Sequence, residues 1–105
     1  MTYEEWKEKE IKEILESTWL TKEEKLSLIK WVKDLKKNVK ASVRFYALNM
    51  FGKKVNELTP REMYIVLDEV IKTYLGMTTS KKKREELKEV LRDILKKEIR
   101  YAFGY

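Results

Sequence analysis

Lys33, Lys37, Lys40 and Arg44 recur at three- and four-residue intervals, and on a helix they fall within an arc of about 60°. Lys30 and Lys36 flank them, and Asp34 is the only acid between Lys30 and Asn56. Cations in one such row repel one another by a few tenths of a kcal/mol per neighbouring pair unless an anion joins them. The chemistry such a row can perform is to hold the phosphates of a nucleic-acid backbone. A second cluster, Ser80, Lys81, Lys82, Lys83 and Arg84, follows Thr78-Thr79 and opens a predicted helix. The amino end of a helix carries about half a positive charge, so cations there are disfavoured until an anion binds. Free backbone N–H groups, a hydroxyl and adjacent Lys or Arg are what a phosphate oxygen requires. The competing reading is a solvated charged face, with Lys81 and Arg84 paired to Glu85 and Glu89.

Other chemistries find no support in the sequence. Without Cys or His there is no thiol nucleophile, disulfide, imidazole base or ordinary zinc site. The three Gly are isolated and form no phosphate loop. Glu62, Asp68 and Glu69 lack the spacing of a two-metal site. A non-enzymatic protein with no cofactor and no metal is expected. Phe103 and Tyr105 lie past the last full helical turn, beside Arg100, where they could stack on a base, insert into a partner or cover the bundle. The other rings fit core stripes. Trp6, Trp19 and Trp31 read as core or interface anchors.

The chain has 105 residues with 24 Lys plus Arg against 18 Asp plus Glu, a net charge of +6. That excess is uneven: residues 1–35 carry a net −2, residues 36–59 +5, residues 60–76 −1 and residues 77–105 +4. Enrichment in Lys and Glu with few Asn, no Gln and no Cys marks proteins from very hot environments, here a thermophilic archaeon or its virus, although a designed helical protein would share much of it. No apolar run approaches the roughly 20 residues of a membrane-spanning helix, and Met1-Thr2-Tyr3-Glu4-Glu5 is not the start of a signal peptide. A cytoplasmic protein with no membrane association is expected.

The elements that must position these residues are legible from their caps. Thr2…Glu5, Thr21…Glu24 and Thr59-Pro60…Glu62 are capping boxes, the third with Pro at the first helical position and a Leu58–Met63 staple. The apolar spacing predicts an all-α compact bundle of four helices, over about 3–17, 22–51, 60–75 and 81–102, in one domain spanning 1–105. A break near residue 38 would make it five. Ile11, Ile14 and Leu15 are expected inward on the first helix. Leu28, Val32, Leu35, Val39, Val43, Tyr46 and Met50 form the stripe of the second. Gly52 and Gly76 are placed to end helices, Gly76 with Met77 as its apolar clamp. Glu98 reads as part of a frayed helix end.

Leu58-Thr59-Pro60-Arg61-Glu62, with Val66-Leu67, resembles the first helix of response-regulator helix-turn-helix domains, but the short second helix those domains need is missing, so nothing of that family is carried over. The expected function is non-catalytic binding of a nucleic-acid backbone, DNA or RNA, with low sequence specificity, as part of a nucleoprotein complex. The rival is a protein-interaction module or homo-oligomer whose Lys rows supply only solubility and steering.

Overall fold

The structure, a computed structural model, describes residues 1–104. Among them are five α-helices and no strands: α1 (Tyr3–Glu16), α2 (Lys22–Phe51), α3 (Pro60–Leu75), α4 (Lys81–Ile94) and α5 (Lys96–Phe103), with a 3₁₀ turn at Val55–Glu57. All three capping boxes form: Thr2, Thr21 and Thr59 each accept from the backbone N–H three residues on, and each glutamate reaches back. Helix α2 runs unbroken through residue 38 and ends at Gly52, whose φ of 63° is left-handed. The 30 residues make a rod of about 45 Å, close to the 47 Å long axis of the molecule.

The fifth helix comes instead from a break at Leu95, where φ −101° and ψ 14° depart from helical values. Hydrogen bonding continues across it: the Leu95 N–H donates to Leu91 O at 2.9 Å and the Ile99 N–H to Leu95 O at 2.8 Å. Leu95 is fully buried, and the turn at this residue lets α4 pack on α1 while α5 lies along α3. Gly76 ends α3 as expected, with a right-handed φ of −68°; the chain leaves the helix through Met77 N–H to Tyr74 O and Thr78 N–H to Leu75 O, and the expected clamp does not form, because Met77 is exposed.

The core is one apolar cluster drawn from all five helices except the short α5, which contributes partly buried Ile99 and Ala102. Val32, Leu35, Val39, Val43 and Ala47 of α2 face Val66, Leu67 and Val70 of α3 and Val90, Leu91 and Ile94 of α4. The predicted α2 stripe holds in its middle, whereas Leu28 and Met50 at its ends are exposed. On α1, Leu15 points outward, and Tyr3 and Trp6 are buried with Ile14. The Tyr3 hydroxyl lies 2.8 Å from the carbonyl oxygens of Val32 and Lys33, while its backbone N–H donates to Asp93 at 2.9 Å. That double attachment wedges α1 between α2 and α4 by the edge carrying Tyr3, Trp6 and Ile14, which turns Leu15 away. No helix among the described residues is long and apolar enough to cross a membrane.

Candidate functional site

The α2 row is displayed as helical geometry requires. Lys33, Lys37 and Arg44 are exposed and join no ion pair among the described residues. Lys40 is diverted: its Nζ donates to Glu98 Oε1 at 2.7 Å. Glu98 is therefore not frayed. Its side chain is 16% exposed, because the break at Leu95 lays α5 along α3 with the carboxylate within reach of Lys40 on α2.

Beside this pair, a groove of about 930 Å³ opens between the carboxyl half of α2, the connection after Gly52 and α5. Its rim carries Arg44 and Lys40 from α2, Lys53 and Lys54 from the connection, and Lys97 from α5. Its floor is apolar, with Val43, Leu48, Val55 and Met63, and the Tyr101 ring closes one side. The Tyr101 hydroxyl donates to Leu58 O at 2.6 Å, which fixes that ring. Lys53 is neutralised by both oxygens of Glu62, 2.9 Å from each. Glu62 also accepts from the Thr59 N–H at 2.8 Å, and that backbone bond, followed by Lys53, holds its carboxyl below the usual range. Arg44, Lys54 and Lys97 remain without a carboxylate, and Lys33 and Lys37 extend the same face along α2. Sequence spacing does not reveal Lys54 and Lys97, since nothing local brings residues 54 and 97 to the side of Arg44.

The cluster at the amino end of α4 is arranged differently. The Ser80 hydroxyl caps the helix, accepting from the Lys83 N–H at 3.4 Å. The Lys83 amine crosses to α1, donating to Glu10 at 2.7 Å and Glu13 at 3.0 Å. Burial opposes that charge, but the two carboxylates outweigh it and raise the amine above its ordinary value. Arg84 folds back onto the Thr78 carbonyl at 3.0 Å. One turn along, Lys9 and Glu86 form a further α1–α4 pair at 2.7 Å. Lys81 and Lys82 alone of this cluster stay exposed without a partner.

The aromatic candidates also separate. Phe103 is half-exposed and meets Tyr64 of α3 edge-on, with centroids 5.4 Å apart at 90°. Tyr105 lies outside the described residues. Trp6 is buried and meets Trp31 edge-on at 6.3 Å, while Trp19, in the α1–α2 junction, is 81% exposed.

The structure thus brings Lys40 and Arg44 together with Lys54 and Lys97 in one groove, leaves Lys33 and Lys37 exposed farther along α2, and ties the Ser80–Arg84 cluster to α1 through Lys83, at the far end of α4 from α5. Comparison with protein-family models, with curated proteins and with solved structures finds no match to this chain.

Proposed function

We propose that this protein is a non-catalytic nucleic-acid-binding module that holds the phosphate backbone along its α2–α5 face with low sequence specificity. The observation that carries the reading is a groove that gathers Arg44, Lys54 and Lys97 from three elements, its one lining carboxylate, Glu98, already taken by Lys40, with Lys33 and Lys37 exposed farther along α2. Where the fold brings glutamates within reach it pairs its lysines, as Lys9 and Lys83 show between α1 and α4 and as Lys40 and Lys53 show in the groove itself. A face left uncompensated costs repulsion in the free protein and repays it when an anion binds. Such contacts supply affinity and orientation without reading bases.

A protein partner is the second reading, favoured by the apolar floor of Val43, Leu48, Val55 and Met63 beneath the cations. That floor would suit an acidic segment carrying one or two apolar side chains. Anisotropy titration of labelled duplex and single-stranded DNA and RNA, repeated across salt, separates the two. Backbone binding through four to six phosphates gives a slope of log K on log salt of roughly −3 to −5. Absence of binding at micromolar protein and low salt refutes the nucleic-acid reading and transfers the face to a protein partner. The Lys- and Glu-rich composition also belongs to a hot-living source, and a Tm in the mesophile range of about 45–65 °C would contradict that.

A further inference from the structure

On the opposite flank of α5, a second groove of about 640 Å³ runs between α3 and the α4–α5 pair. Lys88, Arg92, Lys96 and Arg100 line it at strict four-residue intervals. The row survives the break at Leu95 because the i to i+4 hydrogen bonding continues across that residue, so one cation appears about every 6 Å. Asp68 is the one acid on this wall, and its carboxylate accepts from Lys72 at 2.8 Å. Beneath the cations lie Leu67, Ile71 and Ile99, and at the end stand the half-exposed rings of Tyr64 and Phe103.

We infer that this groove is a binding site for single-stranded nucleic acid, with phosphates on the Lys88–Arg92–Lys96–Arg100 row and unstacked bases against Tyr64, Phe103 and the aliphatic floor. The inference rests on the nucleic-acid reading above and deepens it. Cations alone would serve a duplex equally well. In a duplex, though, every base is already stacked and paired, so an apolar floor and two aromatic rings beside the row gain nothing. A single strand has base faces to bury, and stacking on an aromatic ring is strong and indifferent to sequence. An acidic peptide would satisfy the cations and the aliphatic floor but has no particular use for a pair of rings. α5 is then shared between the two sites, with Lys97 and Tyr101 on one flank and Lys96, Arg100 and Phe103 on the other.

The test is anisotropy titration of a fluorescein-labelled mixed-sequence 12-mer, single-stranded and as its duplex, at low salt. Wild-type protein should favour the single strand by at least about tenfold. Tyr64→Ala should cost roughly tenfold in single-strand affinity and leave duplex affinity unchanged, while Tyr64→Phe, which keeps the ring, should behave as wild type. Arg92→Glu with Lys96→Glu should abolish the preference for single strand. Because Tyr64, Arg92 and Lys96 are not core residues, helical circular dichroism should be retained, and it is recorded for each variant. Equal affinity for the two forms, or a Tyr64→Ala protein with unchanged single-strand affinity, overturns this site yet leaves backbone binding on the α2 face intact, provided Lys37→Glu/Arg44→Glu still abolishes it. Displacement of the 12-mer by an oligoglutamate peptide with no effect of Tyr64→Ala assigns the groove to an acidic peptide instead. No binding of either form overturns both proposals.

Discussion

At the amino end of α4, Lys83 sits between Glu10 and Glu13, and Lys9 beside it holds Glu86. On the α2–α5 face, Arg44, Lys54 and Lys97 line one groove whose only lining carboxylate, Glu98, is held by Lys40. Both regions are lysine-rich stretches of the same chain, and in one the charge has become a structural joint between α1 and α4. The difference follows from which helix packs alongside. α1 brings glutamates at 10 and 13 to face α4, whereas α5 brings one glutamate and one lysine, Glu98 and Lys97, to face α2, and the glutamate is taken by Lys40. Cations that cross-link helices contribute to stability. Cations that gather without counter-charge are the ones the proposed reading assigns to a ligand.

That contrast can be broken most severely through the open face. Replacing Lys37, Arg44 and Lys97 together by Glu should weaken nucleic-acid binding about 100-fold or more and flatten the salt slope by two to three, with the urea midpoint little changed. Lys83→Ala should do the opposite. It leaves Glu10, whose side chain is 14% exposed, without its partner, and should cost about 1–2 kcal/mol of stability once solvent screening of the partly exposed lysine is allowed for. Binding should stay within threefold of wild type.

Acid should distinguish the regions next. Glu86 is held below the ordinary carboxylate range first by the hydrogen bond from Lys9, against an opposing contribution from burial. A carboxyl depressed in the folded state stabilises above its unfolded value of about 4.3, and that contribution disappears as pH falls through the folded value. Urea midpoints should therefore drop below about pH 4.5, and Glu86→Gln should flatten part of the slope. Arg44→Gln and Lys97→Gln should leave the slope as it is. The smallest effect is expected for Lys81→Glu with Lys82→Glu. Removing two cations from a helix amino end should raise stability by some tenths of a kcal/mol, and binding should change less than threefold. A tenfold loss of binding would restore the α4 amino end as a phosphate site.

Much of the fold was legible in the sequence because its signals are local. Three Thr-to-Glu boxes, Pro60 and Gly52 each determine a helix end from within a few residues, and all formed. The break at Leu95 carries no Gly or Pro. It arises because Leu95 must be buried along with Ile94 while Ile99 packs on α3, a tertiary demand with no marker in the chain. Leu15 was misplaced for a related reason, since the apolar pattern of α1 allows two inward edges and the Tyr3 hydrogen bonds select one. The site was legible in half. The row Lys33, Lys37, Lys40 and Arg44 follows from helix periodicity, but the loss of Lys40 to Glu98 and the capture of Lys83 by α1 are contacts between residues more than 50 apart, and Lys54 and Lys97 reach the groove only through the turn after Gly52 and the packing of α5 on α3.

The unbroken length of α2 sets a footprint. Lys33 to Arg44 spans eleven helical steps, about 16 Å, which matches roughly five base pairs at 3.4 Å each. The body behind it is 47 Å long and 22 to 25 Å across. Lying lengthwise on a duplex, one copy would grip about five base pairs and shield about fourteen; standing across it, the same copy would shield only about seven. On the proposed reading, the density at which copies would coat a nucleic acid is therefore decided by the tilt of a single helix.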